Sequence, residues 1–118
     1  MPTYALANLR PVPPLHEDVF VYIERIQATL EPFGGRFLVH NARVEVVEGT
    51  WDGAPVLIEF PDAEHARAWY ASDAYRAILR LRTDHIPGDT IFLDGVPPGY
   101  DAAATAATAA ALRALQEG

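Results

Sequence analysis

From residue 15 to residue 33 the apolar side chains Leu15, Val19, Tyr22, Ile23, Ile26, Leu30 and Phe33 recur at three- and four-residue spacing, with Glu17, Asp18, Glu24, Arg25 and Gln27 on the other side. That period predicts an amphipathic helix. Glu17 and Asp18 suit the positive end of its dipole, and Pro32 with Gly34 and Gly35 ends it. Ahead of it, residues 3–10 read as a strand that Pro11, Pro13 and Pro14 stop by removing backbone donors.

After the glycines the pattern changes from helical to alternating. Residues 36–40 start a strand, Asn41 and Ala42 bend it, residues 44–47 resume it, and a turn over 49–53 leads to a returning strand over 55–60. A hairpin centred on Trp51 sets Val46 against Val56, Val44 against Ile58 and Arg43 against Glu59. In this register Val44, Val46, Val56, Ile58 and Phe60 form an apolar face, and Arg43, Glu45, Leu57 and Glu59 a mixed one. Asp62 is then placed to cap a second helix, whose stripe is Ala66, Trp69, Tyr70, Ala74, Ala77, Ile78 and Leu81, with a break at Ser72 and Asp73. A last strand covers 90–94. Pro97, Pro98 and Gly99 separate it from an alanine-rich helix over 101–116, to which Leu112 and Leu115 give little to bury.

The order strand, helix, strand, strand, helix, strand predicts a ferredoxin-like βαββαβ sandwich of the α+β class, with an antiparallel sheet and a C-terminal helix. The expected division is a folded unit over 1–96 and a helical extension over 97–118. Two helices cover one sheet face; nothing obvious in the chain covers the other, and a symmetric homodimer is the commonest cover. Arg43, Glu45, Leu57 and Glu59 are the expected dimer face.

Charge and composition narrow the partners. A net charge of −7 opposes nucleic-acid binding, since Arg76, Arg80 and Arg82 share their region with Asp73 and Asp84. With no cysteine, disulfides, thiolate metal sites and cysteine nucleophiles are excluded. No apolar run approaches the roughly 20 residues of a membrane span, and the start of the chain lacks a signal-peptide pattern, so the expected location is the cytoplasm.

Gly34-Gly35-Arg36-Phe37-Leu38-Val39, Val46-Val47-Glu48-Gly49 with Trp51, Ile58-Glu59-Phe60-Pro61, and Ala68-Trp69-Tyr70 with Ser72 and Tyr75 together resemble the successive motifs of a bacterial family of unknown function. That family is number 1330 among such domains and belongs to the dimeric α/β-barrel superfamily. The resemblance spans residues 3–95 and implies a ferredoxin-like protomer whose sheet meets a second copy back to back. It implies no reaction. Two positions depart from the family pattern: His40-Asn41-Ala42 replaces an arginine and two glycines, and the proline-rich segment from Pro11 to Pro14 replaces an acidic residue.

The candidate site residues each carry two readings. Glu59, in a central strand, is either the cross-strand partner of Arg43 or a general base in the dimer cavity. His40, beside the strand bend, is either a structural histidine or an acid–base group aimed into a cavity. His85 is a loop residue or part of a closure over a pocket. Trp69, Tyr70 and Tyr75 are core, or with Arg36, Phe37 and His40 they line a ligand pocket between sheet and helices. No spacing in the sequence gathers metal ligands, so neither metal nor cofactor is expected. Three functions follow: a small homodimer binding a small organic ligand, a cofactor-free monooxygenase or isomerase acting on an aromatic or polyketide-like substrate, or a structural or interaction protein without chemistry. A pocket of about 300 Å³ or more with convergent polar groups separates ligand binding from a filled core.

Overall fold

The computed structural model describes residues 1–104 and 106–117. In chain order its elements are β1 (Thr3–Leu9), α1 (Glu17–Leu30), β2 (Arg36–Val39), β3 (Ala54–Phe60), α2 (Ala63–Ala71), α3 (Asp73–Thr83), β4 (Gly88–Asp94) and α4 (Ala106–Glu117). The four strands form one antiparallel sheet in the order β2-β3-β1-β4, which is the ferredoxin-like α+β arrangement.

Local chemistry explains where the helices start and stop. His16 caps α1, its Nδ1 accepting from the Asp18 amide at 3.0 Å. Beyond Leu30 the chain tightens into a 3-10 turn (Glu31–Phe33) and leaves it through Gly34 at φ 69°, a left-handed angle that glycine adopts without strain. Asp62 caps α2 by accepting from the His65 amide at 2.9 Å. The expected break at Ser72 is present, and this residue serves both helices. Its hydroxyl donates to the Trp69 carbonyl at 2.7 Å and accepts from the Tyr75 amide at 3.2 Å, closing α2 while capping α3.

The buried positions of α1 are Val19, Tyr22, Ile26, Thr29 and Leu30, and those of α3 are Tyr75, Ile78 and Arg82. Of these, Tyr22, Ile26, Leu30, Tyr75 and Ile78 meet Ala5, Ile58 and Phe60 from the sheet, with Ala66 and Trp69 from α2, in a single core. Ile23, which the sequence pattern assigns to the buried stripe, is 39% exposed.

The expected hairpin register is overturned. Residues 43–47 are not a strand, and Val44, Val46 and Val47 are exposed. Arg36 and Phe37 already occupy the free edge of β3, opposite Glu59 and Ile58, while β1 takes the other edge along its full length. A strand has only two edges, so no partner is left for residues 43–47. The register of β2 shifts between Phe37 and Val39, Asn41 takes φ 54°, and the chain leaves the sheet as an irregular loop until Ala54. The partner of Glu59 is therefore Arg36, whose Nε and a terminal nitrogen lie 2.9 and 2.8 Å from Glu59 Oε1, and Arg43 is not involved. The C-terminal helix is shorter than expected at its start, with a 3-10 turn at Ala102–Ala104 ahead of it, and Leu112 and Leu115 of α4 are exposed.

A Cβ on Gly35 would stand 2.7 Å from Phe60 Cε1 and 3.1 Å from Leu30 Cδ2, and both of those side chains are fully buried. Gly35→Ala is expected to destabilise the fold by ~1–3 kcal/mol through overpacking. An unchanged urea midpoint would contradict it.

Candidate functional site

The helix-facing positions of β1 are Thr3, Ala5, Ala7 and Leu9, as its pairing with Phe60, Ile58, Val56 and Ala54 of β3 fixes. Alanines at 5 and 7, with Ala54 beside them, are too short to fill the distance to a packed helix layer, which lies about 10 Å from a sheet. A cavity of about 170 Å³ results. Its floor includes Ala5, Ala7, Val56 and Ile58, its roof Val19 and Ile26 of α1, and its rim His40, Asn41 and Ala42 where β2 breaks. The volume falls below the 300 Å³ mark of a drug-sized pocket. It exceeds the ~150 Å³ cavity that accommodates a benzene ring in an engineered protein interior.

One end of this apolar space is polar. The Tyr22 and Tyr75 hydroxyls lie 2.9 Å apart and buried, and either can donate to the other. Arg82 is 8% exposed, with its guanidinium carbon 5.5 Å from the centroid of the Tyr22 ring. Among the described residues Arg82 forms no salt bridge. Burial, reinforced by the Tyr75 hydroxyl, pushes the Tyr22 phenol far above its ordinary range despite the opposing pull of Arg82. Tyr22 therefore stays a neutral hydroxyl, and no phenolate neutralises the guanidinium.

Of the residues expected to line a pocket, Phe37, His40, Trp69 and Tyr75 do so. His40 stacks on Phe37 at 4.8 Å between ring centroids. The indole N–H of Trp69 donates to Thr29 Oγ1 at 3.0 Å, which fixes the ring. The other three stand elsewhere. Arg36 is on the opposite sheet face with Glu59, Tyr70 packs outside the cavity between Tyr75 and Phe92, and His85 lies beyond the wall. Glu59 is thus separated from this cavity by the sheet itself and stands on the outward face. Of the four expected dimer-face residues, Leu57 and Glu59 do face outward from the sheet, but Arg43 and Glu45 lie on the irregular loop.

Sequence reasoning missed Tyr22 and Arg82 as site residues. The signal for Arg82 was its helical phase: it follows Tyr75 and Ile78 on the buried face of α3, whereas Arg80 points outward to Asp84. Spacing also concealed one ligand-like group. Among the described residues, His16, Asp18 and His85 form the only cluster that could hold a metal ion. The two imidazoles stack at 3.8 Å, and His85 Nε2 lies 3.0 Å from Asp18 Oδ2. His16 Nδ1 is already committed to the helix cap, and Asp18 to His85. The group is a self-satisfied clasp between the start of α1 and the end of α3.

This geometry defines a ferredoxin-like α+β protein with a small cavity between sheet and helices. Comparison with known families places the chain within that class: residues 2–96 match the model of Domain of unknown function (DUF1330), and the chain belongs to that family. No curated protein matches it. Solved structures resemble it in fold. The methylated RPA0582 protein of Rhodopseudomonas palustris is 20% identical, with 84% of each chain covered and a TM-score of 0.62. A dimeric ferredoxin-like protein of unknown function from Jannaschia is 16% identical, covering 80% of this chain and 100% of that one, with a TM-score of 0.51. SnoaB, a cofactor-independent oxygenase from Streptomyces nogalater, is 13% identical, covering 85% and 96%, also at 0.51. Identities this low establish the shared fold and no shared chemistry.

A buried guanidinium without a carboxylate partner is poor for stability, and an apolar side chain of similar length relieves its desolvation. Arg82→Met is expected to be at least as stable as the wild type, by up to ~2 kcal/mol. A comparable loss in chemical denaturation would show instead that Arg82 is a structural tie between α3 and the tyrosine pair.

Proposed function

We propose that this chain is a small cytoplasmic homodimer that binds a one-ring organic ligand in the cavity between the sheet and helices α1 and α3. The observation carrying the ligand reading is the gap left by Ala5 and Ala7 on a central strand, where larger apolar residues would close the core. Aromatic and aliphatic walls suit a planar apolar body, and the rim at His40–Ala42 offers entry where β2 ends. Residues 97–118, beyond the family segment, are an appended extension and not part of the binding unit. Neither a membrane nor a nucleic acid is a partner in this reading; among the described residues no helix is long and apolar enough to cross a membrane.

The homodimer rests on the outward face of the sheet. Register places Leu57, Leu6 and Ile91 in one row across β3, β1 and β4, and Glu59, Tyr4 and Leu93 in the next, with Leu38 on β2 also exposed. Ile91 and Leu93 are 49% and 43% exposed in the isolated chain. A second copy covers such a face, and the Jannaschia neighbour is described as dimeric.

A second reading has an observation in its favour. His40 stands on the cavity rim against Phe37, where an imidazole can take a proton from a bound aromatic substrate. That fits a cofactor-free oxygenase or isomerase, the former being how the Streptomyces neighbour is described.

Three variants test these assignments. Ala7→Leu fills the cavity and is expected to weaken a one-ring ligand found by thermal-shift screening by at least about tenfold, equivalent to ~1.4 kcal/mol; unaltered affinity would place the ligand elsewhere. Leu57→Asp puts a charge in the centre of the outward face and is expected to give monomer or aggregate, which an unchanged dimer in size-exclusion with light scattering would refute. His40→Ala is expected to leave the dimer intact while abolishing any turnover found with an aromatic substrate.

A further inference from the structure

The polar end of the cavity specifies the ligand's charge. We infer that the occupant is a monoanionic one-ring carboxylic acid, its carboxylate on Arg82 and its ring against Trp69 and Ile26. This rests on the ligand-binding reading above and goes further by naming the chemical class. Three features converge on it. Arg82 is more than nine-tenths buried, lines the cavity and has no salt bridge among the described residues. A desolvated guanidinium is strongly disfavoured unless an anion reaches it, and its planar fork matches a carboxylate through two parallel hydrogen bonds. The hydroxyls of Tyr22 and Tyr75, 2.9 Å apart beside it, supply a further donor once one of them turns away from the other.

Size and wall chemistry limit the rest of the molecule. The ~150 Å³ that suffices for benzene compares with the 170 Å³ present here, which admits one ring with a short substituent and no fused system. Apart from the Arg82 end, the rim and the hydroxyl-bearing Thr90, the walls are aliphatic or aromatic, so a second charge on the ligand would find no charged partner inside. In a chain of net charge −7, an anion gains nothing from the overall field, and the local guanidinium must provide the whole attraction.

The test compares benzoate with benzamide, a neutral molecule of nearly the same shape, on the full-length protein by calorimetry and tryptophan fluorescence. Charge-assisted hydrogen bonding is expected to make benzoate bind about 10–100-fold more tightly than benzamide. Arg82→Met should abolish the preference, so that benzoate binds no more tightly than benzamide. Arg82→Lys keeps the charge without the fork, and should retain only part of the preference; it serves as the variant should Arg82→Met fail to fold. Equal affinity of the wild type for both compounds would overturn the anionic class and leave the cavity reading standing. Failure of both to bind would overturn the two together.

Discussion

The register of β1 is the constraint on which the rest of the molecule depends. This strand is paired on both edges over its whole length, with β3 on one side and β4 on the other. Alternation then commits each residue to a face, because successive side chains on a strand point in opposite directions. Ala5 and Ala7 fall under the helices and leave space; Tyr4 and Leu6 fall on the outward side and continue the apolar rows of β3 and β4. A slip by one residue would exchange these sets, filling the cavity with Tyr4 and Leu6 and exposing alanines. Cavity and outward face are thus two consequences of the same pairing.

Within the core, packing and charge are set against each other. Leu30, Phe60, Trp69 and Tyr75 interlock under the α1 and α3 helices, with the Trp69 and Tyr75 rings 4.1 Å apart. Such an assembly has no need of a guanidinium, yet Arg82 is enclosed beside it, held by the face of Tyr22 and neutral hydroxyls. A folded core normally excludes an unneutralised charge. Its retention at the end of a mostly apolar cavity is what supports the proposed ligand-binding reading over an incidental packing defect.

The loop from His40 to Gly53 shows how two locally reasonable patterns compete for one structural resource. Val44, Val46 and Val47 have the alternation and β-branching of a strand, and the expected hairpin through Trp51 was consistent with both. Yet β2 reaches the edge of β3 first, joined to α1 by only a tight turn, and a bulge then directs the chain away. Local pattern contains no information on whether an edge is already occupied. For the same reason Arg43 looked like the partner of Glu59, when the residue opposite Glu59 is Arg36.

The sequence by itself determined the kinds and order of the elements, the cap at Asp62, the break between α2 and α3, and hence the ferredoxin-like α+β class and the family. These depend on periodicity and on hydrogen bonds between residues close along the chain, which a linear reading contains. Tertiary structure alone decided that Arg82 turns inward while Arg80 turns out, that Tyr22 meets Tyr75 from a different helix, and that Glu59 and His40 end on opposite sides of one sheet. Those outcomes depend on helix phase against a particular sheet and on which strand holds which edge. Both are settled only when distant segments pack together and exclude one another from the same space.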